Sequence, residues 1–257
     1  MKLDDVLISK AIVEEFMKDF LKFMEVDVAI VGAGPAGMIT GYYLARKKRK
    51  VVLFERKLSV GGGMWGGGMM FNKIVVQKTA KPILEEFGVS YKEYKRGYYI
   101  ADSIETVSTL SSRTVKAGVK IFNLISVEDV MMRKEKITGL VLNWNAVSLA
   151  NLHIDPLTIR AKFVVDSTGH AAEVAKIIVK KIGKKLFTKT GDLLGEKPMW
   201  AEIGEKFIVE NSKEVYPGLY VAGMAANSVF GAPRMGPIFG GMLLSGKRVA
   251  ELLLKRL

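Results

Sequence analysis

Gly32-Ala33-Gly34-Pro35-Ala36-Gly37 fits the pattern G-x-G-x-x-G, and each glycine has its own task in holding a diphosphate. Gly32 permits a tight turn, Gly34 lets a pyrophosphate approach the backbone, and Gly37 lets a helix pack closely on the strand before it. The helix that follows then presents free N–H groups and the positive end of its dipole to the phosphates. Such a motif alone is weak evidence. Here Glu55 stands at the end of the next strand, where a carboxylate can accept from a ribose hydroxyl pair. A carboxylate at that position also disfavours a 2′-phosphate, although Arg56 beside it weakens the discrimination. Together these residues predict an adenine dinucleotide bound by its pyrophosphate.

A second set of residues suggests metal chemistry. The chain has only 2 histidines, His153 and His170, one on either side of an apolar strand. In Asn151-Leu152-His153-Ile154-Asp155-Pro156 an extended backbone would turn His153 and Asp155 to the same face. His170 ends Asp166-Ser167-Thr168-Gly169-His170, just past the strand, where α/β folds place ligands. Singly, each histidine reads as a satisfied polar residue. As a group, two imidazoles and a carboxylate beside a nucleotide site suit a divalent transition metal such as iron or zinc. The chain has 0 cysteines, which excludes disulfides, thiolate metal sites, cysteine-held iron-sulfur clusters and a cysteine acting as nucleophile or sulfur donor.

The elements that would position these groups follow from hydrophobic periodicity. Val26 to Val31 reads as a strand, Met38 to Lys48 as a helix and Val51 to Phe54 as a second strand, a complete βαβ unit over 26–60. Before it, over 1–25, Asp4 to Met24 has the spacing of an amphipathic helix that packs on the core or on another subunit. Gly61 to Gly68 carries six glycines in eight positions, too flexible for regular structure without a ligand or close backbone contact, and reads as a binding loop. Pro82 to Phe87 and Ile104 to Ala117 look helical. Lys120 to Leu124, Val127 to Arg133 and Ile137 to Trp144 look like a β-meander, and Ala161 to Val165 like a buried strand. Over 216–257 a strand, Leu219 to Ala222, leads into a loop rich in Gly, Pro and Met, and Gly240 to Leu257 closes the chain as a helix.

Length and composition bound the whole. With 257 residues, 49% of them hydrophobic, the chain can bury one sizeable core, and a single compact α/β unit is expected. The 39 basic and 26 acidic residues give a formal charge of +13, which favours anionic ligands. Apart from the run Arg46-Lys47-Lys48-Arg49-Lys50 at a helix end, the basic residues are scattered, and no nucleic-acid-binding motif accompanies them, so no nucleic-acid partner is expected. Neither a membrane span nor the layout of a signal peptide is visible, which predicts a cytoplasmic protein with no membrane partner.

The order of these elements resembles the glutathione-reductase class of flavoproteins, a Rossmann-like dinucleotide-binding fold with an inserted β-meander. One departure counts against FAD. In that class the late strand ends Gly-Asp, the acid holding the ribityl chain, whereas this chain has Gly223-Met224. Taken as a set, Gly32 to Gly37, Glu55-Arg56, the Gly61 to Gly68 loop, His153-Ile154-Asp155-Pro156, Ser167 to His170, Arg234-Met235-Gly236-Pro237 and Phe239-Gly240 resemble the thiamine thiazole synthases, specifically their archaeal branch.

That resemblance implies that NAD is consumed as a substrate. Nicotinamide is lost, the freed ADP-ribose isomerises to a ketone and condenses with glycine, and sulfur closes an adenylated thiazole carboxylate. It also implies roles for residues. Gly32, Gly34, Ala36, Gly37, Glu55, Arg56 and Gly63 would hold the ADP portion, Val127 would meet the adenine by its backbone, and Ile154 and Met224 would join His153 and Asp155 against the same ligand. Asp155 and His170 would bind Fe(II), leaving positions open for the glycine-derived intermediate and sulfide, and with His153 they form the catalytic group. Arg234 would clamp the glycine carboxylate with its planar fork of donors. His153 could contact the substrate and act as acid or base. Eukaryotic members carry a sulfur-donating cysteine where His153 stands. A chain without cysteine must take sulfur from outside, most simply as free sulfide, and turn over repeatedly. The resemblance further implies a homo-octamer. An FAD-dependent oxidoreductase, a ribose 1,5-bisphosphate isomerase and a non-enzymatic nucleotide sensor are the rival readings, the last opposed by the histidines and Asp155.

Overall fold

A computed structural model describes residues 2–257. In chain order the elements are α1 (Asp5–Lys22), β1 (Glu25–Val31), α2 (Pro35–Arg46), β2 (Val51–Glu55), β3 (Lys73–Gln77), α3 (Lys81–Phe87), β4 (Tyr91–Lys95), β5 (Tyr98–Asp102), α4 (Ser103–Lys116), β6 (Lys120–Asn123), β7 (Ile125–Arg133) and β8 (Lys136–Trp144). They continue with α5 (Asn145–Leu149), β9 (Leu157–Asp166), α6 (Glu173–Ile182), α7 (Ala201–Glu210), β10 (Glu214–Tyr216), β11 (Leu219–Val221), α8 (Met224–Phe230) and α9 (Gly240–Leu254). None of the described helices is long and apolar enough to cross a membrane.

The main sheet has the order β10-β11-β9-β1-β2-β6, and β1, β2, β6, β9 and β11 pair in parallel. Alternation along its strands builds two cores. Val28, Ile30, Leu53 and Val165 point into one shared with α2, α4 and α9. Their neighbours Ala29, Val31, Val52 and Val164 point into the other, closed by Phe20 of α1, Val174 and Ile178 of α6 and Val229 of α8. Covering both faces is what permits the near-continuous apolar runs of a parallel sheet. The register sets Val31 beside Phe54 and Asp166, and Val221 beside Asp166, so four strand ends open on one edge. In such sheets ligands bind at that edge.

Two expectations about strands change. Lys120–Asn123 is no part of a three-stranded meander; it joins β2 in parallel, because Ile121 and Phe122 register with Leu53 and Phe54. The antiparallel ladder instead runs β7-β8-β9, with β8 against the first half of β9 and β11 parallel to its second half. A separate antiparallel sheet, β3-β5-β4, was not anticipated; its strands alternate apolar and polar too briefly to stand out beside Tyr, Lys and Glu.

The N-terminal helix is capped by Asp4, whose carboxylate accepts from the Leu7 N–H at 2.8 Å. Its last turns dock: Phe16 and Phe20 pack edge-on against Phe122. The rest of the stripe, including Val6, Ile12, Val13 and Leu21, is exposed.

Candidate active site

The turn after β1 is built as the glycine pattern requires. Gly32 has φ +97°, and a Cβ there would lie 2.6 Å from the Ser167 carbonyl oxygen. At Gly37 a Cβ would lie 2.2 Å from the Gly32 carbonyl oxygen, so the α2 backbone sits against the turn. Gly34 is the opposite case: nothing lies within 4 Å of its would-be Cβ, leaving open space where a phosphate would approach. Pro35 begins α2, where its missing N–H costs nothing.

Glu55 is buried and held on both oxygens. Ala33 N–H donates to Oε2 and Lys57 N–H to Oε1, each at 2.9 Å. Two lone pairs per oxygen leave acceptor capacity for a ribose diol. Arg56 donates to Glu173 Oε1 at 2.6 Å, an ion pair across the cavity lining that is half exposed and so contributes little to stability.

The glycine loop is more ordered than its composition suggests. Gly62–Gly66 forms a 3-10 turn, fixed by the fully buried Met64, by Gly61 N–H donating to Ala33 O at 2.8 Å, and by Ser103 donating to Trp65 O at 2.9 Å. Contacts with the rest of the chain replace the ligand in ordering it. Gly63, with nothing within 4 Å of its would-be Cβ, faces open space.

These parts line one cavity of about 1550 Å³ that also takes in Val127, His170, Met224 and Arg234. Val127 adjoins an irregularity in the β7–β8 pairing. Met224 starts α8 directly after Gly223, whose would-be Cβ lies 2.9 Å from Ala36 Cβ, so this strand end meets the glycine turn. Arg234 is in a loop pinned to a neighbouring segment: its N–H donates to Lys197 O, and its carbonyl accepts from Trp200 N–H.

His170 belongs to a 3-10 turn, Gly169–Ala171, with an extensive frame. Asp166, wholly buried at the end of β9, accepts from Thr168 N–H at 3.0 Å, Thr168 Oγ1 at 2.7 Å and Ala175 N–H at 3.0 Å. Burial pushes its pKa up, and those donors oppose the rise. Ser228 Oγ donates to the His170 carbonyl at 3.0 Å. The imidazole Nδ1 lies 2.7 and 2.8 Å from the two oxygens of Glu196. An ionised carboxylate only accepts, so this contact calls for a proton on Nδ1, and in the neutral ring Nε2 then keeps its lone pair. No sequence pattern had marked Glu196; only its place next to His170 reveals it.

His153, Ile154 and Asp155 are placed elsewhere. Leu152–Pro156 is irregular and exposed, so strand alternation does not govern which way His153 and Asp155 face. The 10 residues of β9 separate this segment from His170, on the order of 30 Å of extended chain. The expected grouping of His153, Asp155 and His170 is therefore not brought together within the chain, and no set of three metal-ligating side chains converges among the described residues. Gly37 likewise does not reach the cavity; it is packed against Gly32 and Ser167.

Comparison with known proteins bears on what this cavity serves. Residues 9–239 match the model of the Thi4 family. The thiamine thiazole synthase of Methanothermobacter thermautotrophicus is 62% identical over 257 residues, covering 100% of both chains, and that of Pyrococcus furiosus is 58% identical over 255 residues, 99% of each. The crystal structure of Thermovibrio ammonificans THI4 superposes with a TM-score of 0.96 at 52% identity, covering 100% of this chain and 99% of that one.

Proposed function

The chain belongs to the Thi4 family, and on that premise we propose that it is a thiamine thiazole synthase that builds an adenylated thiazole carboxylate from NAD, glycine and free sulfide with Fe(II). The observation that carries the reading is the one cavity lined by the glycine turn, Glu55, His170 and Arg234 together. The fold is read accordingly as the flavoprotein type of the glutathione-reductase class, its dinucleotide cradle turned to a substrate that is dismantled.

Gly32, Gly34 and the α2 N-terminus would hold the pyrophosphate, Glu55 the ribose, and Val127 the adenine. Arg234 would clamp the glycine carboxylate. His170 would be one iron ligand through Nε2, and Fe(II) would supply a Lewis-acidic centre with open positions for small reactants. Asp155 is the other ligand in this reading, and the strand that separates it from His170 means it has to come from a second copy of the chain. His153, Ile154 and Asp155 would then enter the neighbour's cavity together, with His153 available for proton transfer. Two features support such assembly: the exposed apolar stripe of α1, and the exposed Leu149, Leu152, Ile154 and Leu157 around the same segment. We read the assembly as a homo-octamer, working in the cytoplasm.

Mass spectrometry of small molecules released by denaturing the purified protein tests the reading. An adenylated thiazole or its glycine-linked precursor is the expected result. Release of FAD alone would overturn it.

A further inference from the structure

The hydrogen bonds around His170 divide into two groups. One group fixes the backbone: Asp166 and Thr168 hold the turn, and Ser228 Oγ holds the His170 carbonyl. The other is Glu196 against Nδ1, the one among these that touches the ring. Glu196 is itself mounted firmly. Its side chain is only 17% exposed, against 52% for His170. Gly195 N–H donates to Ser228 O at 3.0 Å and Lys197 N–H to Ala232 O at 3.1 Å, so both neighbours of Glu196 are tied to α8 and the loop after it. Ser228 thus holds the backbone of His170 with its hydroxyl and the backbone beside Glu196 with its carbonyl. The same segment accepts the Arg234 N–H on Lys197 O at 3.1 Å.

From this geometry we infer that Glu196 is a positioning residue for the proposed metal site: it fixes His170 as the Nδ1–H tautomer and leaves Nε2 as the lone pair presented to the cavity. The inference rests on the thiazole synthase reading for the metal, though not for the tautomer. Because the backbone frame is independent of Glu196, removing its carboxylate frees the ring without dismantling the turn. The segment from Gly195 to Lys197 also ties this imidazole to the Arg234 loop, so the group proposed to bind metal and the group proposed to bind glycine are set by one strap.

Two histidines in the whole chain make the test direct. The full-length protein, assembled, metal-free and labelled with 15N-histidine, is studied by long-range 1H–15N correlation at a pH where imidazole is neutral, with His153→Gln assigning the remaining signal. Wild-type His170 is expected in the Nδ1–H form, Glu196→Ala in a form dominated by Nε2–H, and Glu196→Gln, whose amide oxygen still accepts, in the wild-type form. Titration with Mn(II) as a probe metal should show affinity falling about 10–100-fold in Glu196→Ala and largely recovering in Glu196→Gln. A structural role alone would lower the melting temperature and leave the tautomer unmoved. Wild-type His170 on Nε2–H, or a Glu196→Ala variant with unchanged tautomer and affinity, would overturn the role of Glu196 and leave the metal reading standing. A wild-type protein that takes up no metal, with the tautomer as expected, would overturn the metal reading and with it the purpose assigned to Nε2.

Discussion

Asp155 and His170 stand at opposite ends of β9, with its 10 residues between them. No rotamer change closes a gap on the order of 30 Å. If both serve one metal, each site is made by two copies of the chain, and the inactive variants Asp155→Asn and His170→Asn should complement one another. Copies mixed at random during assembly would restore about a quarter of the sites. Activity of co-expressed variants that stays at the level of each variant alone would rule out a shared site.

Sulfur supply gives the second test. With 0 cysteines, nothing in the chain can be sacrificed as a thiol. Anaerobic incubation with NAD, glycine, Fe(II) and sulfide should yield many thiazole products per subunit. A yield that stops at or below one would sink the catalytic reading.

Variants of the glycine turn after β1 should separate folding from the proposed binding. Gly37→Ala puts a methyl 2.2 Å from a carbonyl oxygen, and overpacking of that kind should cost about 1–3 kcal/mol or more of stability. Gly34→Ala meets nothing within 4 Å and should change stability by less than about 0.5 kcal/mol while weakening NAD binding, since its methyl would occupy the space proposed for the pyrophosphate. Thermal unfolding and calorimetric titration distinguish the two outcomes. Equal loss of stability in both variants would contradict the geometry.

At Arg234, replacement by lysine keeps the charge and removes the planar fork. Loss of one charge-assisted bond of a bidentate pair should raise the glycine KM about tenfold or more, with little change in the affinity for NAD. Parallel changes in both would mean that Arg234 serves the dinucleotide or the loop rather than glycine.

Glu205 predicts a pH effect on stability. It is buried on α7, where Oε2 accepts from Gln77 Nε2 and Gly241 N–H, both at 2.6 Å, while Glu205 Oε1 and Gln77 Oε1 have no partner among the described residues. Burial pushes its pKa up to about 7, above the ordinary 4.5. A raised carboxyl means the folded state holds the proton that the unfolded chain releases, so this group lowers stability as pH rises from about 4.5 through about 7. The loss is about 3 kcal/mol at most. Glu205→Gln, neutral at every pH and able to offer a donor where that pair lacks one, should abolish the slope and be the more stable protein at pH 8. Denaturant unfolding at pH 5 and pH 8 measures this, and an unchanged slope in the variant would assign it to another group.

The geometry of the turn after β1 was legible in the chain because its determinants are local. A glycine with positive φ, a helix N-terminus and a carboxylate one strand away are set by short-range sterics and hydrogen bonding, so the places of Gly32, Gly34 and Glu55 could be read from spacing alone. The apolar runs of β1, β2 and β9 likewise announced a buried parallel sheet. Tertiary structure decided the rest. Whether Lys120–Asn123 joined a meander or the parallel sheet depended on which strand offered a free edge, a non-local choice. The Gly61 to Gly68 loop took its order from Met64 and Ser103, residues whose packing no glycine count reveals. His153, Asp155 and His170 are close in sequence, yet an extended strand carries the chain about 3.3 Å per residue and parts them, while Glu196, 26 residues from His170, arrives at 2.7 Å. Proximity along a chain fixes backbone chemistry; proximity of side chains is made by the path the sheet forces that chain to take.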